Sequence, residues 1–349
     1  MTHTADLALP QVAIIGAGPV GLFSVFTCGM MRLRCALFDT LPQAGGQCQE
    51  LYPEKPIYDI PAFAQVTGAS LTKNLLDQIK PFYPVWNLQT RITHLDKTPQ
   101  GWVLNKRLDT PYQAVIIAGG AGSFEPLRPP LNDLDSFEGK SVFYAVTQKE
   151  QFRGKNIVIA GGGDSAIDWA LTLAPLARSL TFVHRRATFR ASPENTALLK
   201  QAVHKGRISL LTPYQLKGLE GETTSGSLSA VIVSSLKGEI KKINADVLLP
   251  FFGLKSTLGP LENWMLDMQN QKIIINPTTA ETNQPGLYAV GDIATYPYKR
   301  KLILTGFAEA AQAAASIQRS LCPEAPVSLG HSTSSGIPSL PTTQLPEAL

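Results

Sequence analysis

The sequence predicts an α/β protein made of two Rossmann-like dinucleotide-binding domains. Three observations carry that expectation: a strand–glycine–helix–strand unit near the N-terminus, a second about 145 residues later, and closing charges of opposite sign in the two. With 349 residues, 44% hydrophobic and 17% charged, the chain is long enough to bury two cores.

In the first unit, Gln11 to Ile15 is a β-branched run that stops at Gly16. A helical pattern from Gly21 to Met31 leads into a second strand, Cys35 to Phe38. Gly16, Gly18 and Gly21 form G-x-G-x-x-G between strand and helix, where the glycines permit a tight turn, close backbone approach to a pyrophosphate and close helix–strand packing. The helix N-terminus offers free N–H groups to the anion. Asp39 closes the second strand about 20 residues after Gly18, where a carboxylate accepts from an adenosine ribose and repels a 2′-phosphate. This site therefore suits FAD or NAD rather than NADP. The glycine triplet by itself is also compatible with a tight turn beside a solvated acid.

In the second unit, Lys155 to Ala160 ends at Gly161-Gly162-Gly163, a helix from Ser165 to Leu173 follows, and Ser179 to Val183 makes the next strand. Ala166 takes the third fingerprint position, a small residue that serves the same packing. Where the first unit has its acid, this one has His184, Arg185 and Arg186, with Arg190 close behind. Guanidinium groups match phosphate with paired, charge-assisted hydrogen bonds, so the cluster favours NADPH over NADH. A solvated basic strand end is the competing reading.

Between the units, Ala114 to Ala118 runs into Gly119-Gly120-Ala121-Gly122, and Phe124-Glu125-Pro126 with Pro129 and Pro130 reads as an irregular crossover. Another strand, Asp246 to Phe252, ends at Gly253. The expected division is a discontinuous FAD-binding domain, residues 1–121 and 254–349, around an NADPH-binding domain, residues 122–253, with a C-terminal extension over about 322–349. Near the C-terminus, the short strand Gly286 to Val290 ends in Gly291-Asp292 and is followed by a helical run, Gly306 to Ile317. That helix can aim its positive end at a flavin. Gly45 to Lys55 shows little periodicity and many polar groups, as a cofactor-lining loop would, and Tyr52 there is a candidate to stack on a flavin ring or an ordinary exposed or core tyrosine.

Composition narrows the classes. The four cysteines, Cys28, Cys35, Cys48 and Cys322, have no C-x-x-C spacing, so neither a zinc site nor a disulfide framework is expected. No apolar run reaches the ~18 residues of a membrane span, and Met1 to Ala8 lacks the pattern of a signal peptide, so the expectation is a soluble, cytoplasmic protein. A net charge of +4 is too small to argue for nucleic acid and is compatible with an acidic protein partner. The last stretch, rich in Pro, Ser and Thr, reads as a tail.

Taken together, Gly16-Ala-Gly-Pro-Val-Gly21, Gly45-Gly46-Gln47, Gly161-Gly-Gly-Asp-Ser-Ala166, His184-Arg-Arg186 and Gly291-Asp292 resemble the thioredoxin-reductase-like flavoproteins, over residues 11 to about 320. Leu51-Tyr-Pro-Glu-Lys-Pro-Ile-Tyr-Asp-Ile-Pro61 and Leu302-Ile-Leu-Thr-Gly-Phe-Ala-Glu-Ala-Ala311 resemble, within them, the bacterial ferredoxin–NADP⁺ reductases of the thioredoxin-reductase type. Thioredoxin reductases carry a redox-active C-x-x-C ahead of the second fingerprint, where this chain has Tyr144-Ala-Val-Thr-Gln148. Electrons would then leave from the flavin itself.

The resemblance implies FAD contacts from Gly16, Gly18, Pro19, Gly21, Asp39, Gln47, Tyr52, Phe124, Asp292 and Thr333. It implies NADPH contacts from Gly162, Gly163, Asp164, Ser165, His184, Arg185, Arg186 and Arg190. It also implies a homodimer, with Gly330-His331-Ser-Thr-Ser334 covering the partner's flavin so that His331 and Tyr52 face the ring from opposite sides; as a bare sequence, His331 reads equally as a tail residue. The implied chemistry is hydride transfer between nicotinamide and flavin N5, coupled to one-electron transfer with ferredoxin or flavodoxin, without a catalytic acid–base residue or a metal. Stacking of donor and acceptor leads to the expectation that the second domain rotates relative to the first. Two alternatives stay open at this point: a small acceptor such as a quinone, a disulfide or oxygen, and a non-enzymatic NADPH-binding redox sensor.

Overall fold

The computed structural model describes residues 10–107, 110–323, 333, 336–338 and 340. The chain forms two units, Met1–Ser123 with Ser256–Leu349, and Phe124–Lys255.

In chain order, β1 (Val12–Ile15) leads to α1 (Pro19–Met30) and back to β2 (Cys35–Phe38). Next come α2 (Gly46–Glu50), α3 (Gly68–Ile79), β3 (Val85–Asn87) and β4 (Ala114–Ile117). The chain leaves the first unit through β5 (Ser123–Pro126). The second unit holds β6 (Asn156–Gly161), α4 (Asp164–Leu173), β7 (Ser179–Val183), α5 (Pro193–His204) and β8 (Ser209–Leu211). An antiparallel trio follows, β9 (Tyr214–Glu222), β10 (Ser227–Ser235) and β11 (Ile240–Asn244), and then β12 (Val247–Phe251). The return strand β13 (Leu254–Thr257) pairs with β5, after which β14 (Leu287–Ala289) and α6 (Ile303–Leu321) complete the first unit.

The first sheet has the order β14-β4-β1-β2-β3, and every pairing is parallel. Central β1 aligns Ile14 with Leu37 on one side and Ile116 on the other, and all three are fully buried. Strands covered on both faces need apolar residues at every position, which is why VAII, CALF and AVII do not alternate. The second unit repeats the plan with β8-β7-β6-β12, again all parallel. In each sheet the chain order changes direction beside the first strand of the unit, the position at whose carboxyl strand ends open α/β sheets generally bind ligands.

Helix boundaries differ from the sequence expectation in ways that local chemistry explains. α1 begins at Pro19 rather than Gly21, because proline's fixed φ suits the first helical position and its missing N–H costs nothing there. α6 begins at Ile303, one turn before Gly306, with the Leu302 carbonyl accepting from the Gly306 N–H at 3.3 Å. The segment read as a cofactor-lining loop holds a helix, α2, too short to show a period. The crossover read as irregular is a strand, β5, because β13 offers it a partner.

Helices α1 and α6 pack closely through small residues: Ala310, Ala313 and Ala314 are fully buried, and the Thr27 hydroxyl donates to the Ala310 carbonyl at 3.2 Å. Among the described residues, no helix is long and apolar enough to cross a membrane.

Candidate dinucleotide site

Each glycine of the first fingerprint has its own geometric cause. A Cβ on Gly16 would stand 2.4 Å from the Ala118 carbonyl oxygen, and its φ of +111° disfavours any other residue. A Cβ on Gly21 would stand 1.8 Å from the Gly16 carbonyl oxygen. Those two are required by the chain itself. Gly18 is different: its φ is −72°, and a Cβ there would reach only Gly46 Cα, at 3.9 Å. The chain does not demand glycine at 18, and the bare backbone there leaves room for a group approaching from outside.

More glycine backbone stands beside the Gly16 turn, where a Cβ on Gly16 would lie 3.1 Å from the Gly119 nitrogen. Gly119 would carry a Cβ with no described atom within 4 Å, and Gly120 one that meets only the Gln47 amide nitrogen at 3.9 Å. Gly46, with φ of +54°, approaches Gly18 itself, since a Cβ on Gly46 would stand 3.0 Å from Gly18 Cα. The α1 N-terminus has no side-chain cap and no acid in its first turn, leaving its N–H groups directed at this space. Bare backbone on several sides and uncapped N–H donors match a pyrophosphate.

Asp39 does more than the spacing suggests. Its Oδ2 accepts from the Ala17 N–H at 2.6 Å and its Oδ1 from the Leu41 N–H at 2.9 Å. The carboxylate thus ties the glycine turn to the end of β2, and each oxygen keeps a second lone pair for a ribose hydroxyl. The Ala17 carbonyl accepts from the Gly45 N–H at 2.8 Å, which joins α2 to the same turn.

On α2 and just beyond it, Gln47 and Tyr52 are half-buried and Cys48 is buried. The Cys48 thiol donates to the Tyr52 hydroxyl at 3.6 Å. Burial is the largest influence on both groups and raises both pKa values, with Asp292 adding to the rise in each. Asp292, Cys48 and Tyr52 therefore share one neighbourhood. Asp292 itself pairs with Lys301 at 3.2 Å. Phe124 is half-buried at the first position of the second unit, Thr333 is exposed, and His331 lies outside the described residues.

The second unit repeats the glycine logic. A Cβ on Gly161 would press on Ala166 Cβ and the Phe251 carbonyl, both at 2.7 Å, whereas one on Gly163 would meet no described atom within 4 Å. Gly162 is required by His184, whose ring would lie 2.1 Å from its Cβ. His184 is buried at 9% exposure, stacks on Phe189 at 5.1 Å, and has Nε2 within 3.1 Å of the Thr188 carbonyl. Its ring supports the turn from beneath. Asp164, at the start of α4, accepts through Oδ1 from the Ser192 N–H at 2.9 Å and the Asn195 amide at 2.8 Å, linking α4 to α5. Ser165 is exposed beside it.

Arg185, Arg186 and Arg190 are exposed, and none pairs with a described carboxylate. The Arg190 N–H donates to the Gly162 carbonyl at 2.8 Å, so the loop after β7 folds back to the glycine turn. The structure thus brings the guanidinium-bearing loop back to the second glycine turn.

Sequence reasoning missed the buried pair Lys299–Glu309, which holds Gly291. Its signal was an acid beside Ala310 and Ala313 on the small-residue face of α6.

A model of the pyridine nucleotide-disulphide oxidoreductase family matches residues 10–316. A ferredoxin–NADP reductase of Paramagnetospirillum magneticum is 51% identical over 331 residues, 94% of this chain and 98% of that protein. One from Rhodospirillum rubrum is 48% identical over 337 residues, 95% of this chain and 97% of its own length. Among solved structures, thioredoxin reductases of Lactococcus lactis and T. acidophilum superpose with TM-scores of 0.71 and 0.72 at 21% identity, each covering 89% of this chain and 98% of theirs, a likeness of fold.

Two outcomes are expected. Gly21→Ala should destabilise the ligand-free protein by about 1–3 kcal/mol or more through overpacking, while Gly18→Ala should change its stability by less than about 1 kcal/mol yet weaken dinucleotide binding. Thermal unfolding with and without dinucleotide reads both, and equal destabilisation by the two would contradict the assignment.

The second concerns pH. Burial, with smaller contributions from Arg185 and Arg186, holds His184 below its ordinary 6.5. The unfolded chain then takes up the proton first as pH falls, so stability present above pH 6.5 is lost as pH drops through that value and levels off below the folded pKa. Unfolding midpoints from pH 8 to pH 5 should fall more steeply for the native protein than for His184→Asn, and parallel curves would contradict this.

Proposed function

We propose, from the premise that the chain belongs to the pyridine nucleotide-disulphide oxidoreductase family and within it to the ferredoxin–NADP reductases, that it moves electrons between NADPH and a ferredoxin through bound FAD. The observation that carries this reading is the charge contrast between two otherwise similar glycine turns, Asp39 at one and Arg185, Arg186 and Arg190 at the other. A carboxylate accepts from ribose hydroxyls and repels a 2′-phosphate, whereas guanidinium groups bind that phosphate.

In this reading Gly16, Gly18, Pro19 and Gly21 seat the FAD pyrophosphate at the α1 N-terminus, Asp39 holds the adenosine ribose, and Gln47, Tyr52 and Asp292 line the flavin end. Bound FAD supplies what the side chains lack, exchange of a hydride with nicotinamide and of single electrons with an iron–sulfur protein. Gly162, Gly163 and the α4 N-terminus receive the NADPH pyrophosphate, His184 supports that turn, and the arginines select the 2′-phosphate. The protein thus binds, orients and selects, with no side chain required as acid or base.

The sequence has no C-x-x-C, and three of its cysteines, Cys28, Cys35 and Cys48, are buried. This favours electrons leaving from the flavin over passage through a dithiol. A homodimer in which the segment around His331 and Thr333 covers the partner's flavin, and a rotation of the nucleotide unit about β5 and β13, complete the reading.

Anaerobic stopped-flow mixing of the NADPH-reduced protein with ferredoxin, flavodoxin, a quinone and a disulfide tests the acceptor. Reoxidation is expected to be fastest with ferredoxin or flavodoxin; preference for the quinone or disulfide would contradict the reading, and lack of reduction by NADPH would leave only the sensor. Arg185→Gln with Arg190→Gln should raise the KM for NADPH roughly tenfold to a hundredfold, the loss of one or two charge-assisted hydrogen bonds. The KM for NADH should change little, and equal losses would overturn the NADPH assignment.

A further inference from the structure

Gly291 precedes Asp292 at the end of a first-unit strand and adopts φ of +75°. Both of its backbone polar groups are taken by one buried ion pair. Its N–H donates to Glu309 Oε2 at 2.7 Å, and its carbonyl accepts from Lys299 Nζ at 2.6 Å. Lys299 Nζ in turn lies 2.9 Å from Oε2 and 2.7 Å from Oε1 of Glu309, with side-chain exposures of only 7% and 2%. The four groups form a closed ring around a single residue.

Burial makes that ring costly. Desolvation pulls the Lys299 pKa down, and Glu309 opposes the shift. Replacing a buried ion pair with apolar residues of similar volume is often neutral or stabilising, so stability alone does not account for this one. What it does account for is position. A Cβ on Gly306 of α6 would lie 3.1 Å from Gly291 Cα and 2.5 Å from Val20 of α1, so the ring sits where the first turns of α1 and α6 converge. Asp292, the next residue, is the carboxylate that bears on Cys48 and Tyr52.

We propose that Lys299 and Glu309 are positioning residues for the flavin end of the site: their ion pair fixes the Gly291 turn, aims Asp292, and contributes a charge of each sign to the field at the ring. The proposal rests on the reading that Gly291-Asp292 borders bound FAD. Lys299 favours a more negative, reduced flavin, and Glu309 disfavours it.

The test measures FAD affinity of the ligand-free protein by equilibrium titration, and the flavin midpoint potential of the loaded protein by dye equilibration. Lys299→Met with Glu309→Leu removes both charges while keeping volume; it is expected to fold like the native protein by circular dichroism and to bind FAD at least tenfold more weakly. Lys299→Met alone should lower the midpoint potential and Glu309→Gln should raise it, with Lys299→Arg close to native. Native-like FAD affinity in the double variant would overturn the clamp, and potential shifts of the same sign, or none, in the single variants would overturn the charge effect. A double variant that does not fold would overturn the claim that the pair is positional, leaving it structural. If the native protein binds no FAD, the underlying reading fails instead.

Discussion

An uncapped helix N-terminus facing bare glycine backbone is the constraint from which the rest of this protein follows. Free N–H groups at a helix start need a partner, and an anion is the best one available. To let it approach, the turn must lose its side chains, and the strand ahead must end where the sheet order reverses. Gly18 and Gly163 show this most clearly, since a Cβ on either would meet almost nothing of the chain. The surrounding glycines, by contrast, are explained by internal contacts: Gly16 on Ala118, Gly21 on Gly16, Gly162 on the His184 ring.

Two copies of one turn would be redundant without a difference between them. Asp39 supplies it in the first unit and also secures the turn through the Ala17 N–H. In the second unit a buried histidine provides the support, which frees the adjacent arginines to remain exposed. In the proposed reading, support and selection are combined in one residue in the first unit and divided among several in the second. The Lys299–Glu309 pair adds a third kind of support at Gly291, where two buried charges each carry a desolvation cost of several kcal/mol that a purely apolar contact would avoid.

Much of this was legible in the amino-acid sequence because it depends on local patterns. The apolar runs of β1, β2, β4 and β6, both fingerprints and the opposite closing charges could be read from short windows, since a buried parallel strand and a glycine turn impose residue types at fixed spacings. What escaped notice depends on contacts between distant positions. α2 is shorter than a readable period, and β5 became a strand only because β13, far along the chain, pairs with it. Lys299 sits in a run of three basic residues with no acid nearby in sequence beyond Asp292, and only the fold brings Glu309 and the Gly291 carbonyl to it. His184 was readable as an NADPH contact from its place after the fingerprint, whereas its packing beneath Gly162 depends on the return of the chain through Phe189.

The division of labour between the two turns is tested most directly by binding of the bare adenosine halves to the flavin-loaded protein. Titration with 2′,5′-ADP and with 5′-AMP, under the same low-salt conditions, isolates the 2′-phosphate. Affinity for 2′,5′-ADP should exceed that for 5′-AMP by at least roughly tenfold, the value of one good charge-assisted contact. Equal affinities would mean that Arg185, Arg186 and Arg190 are an ordinary solvated strand end.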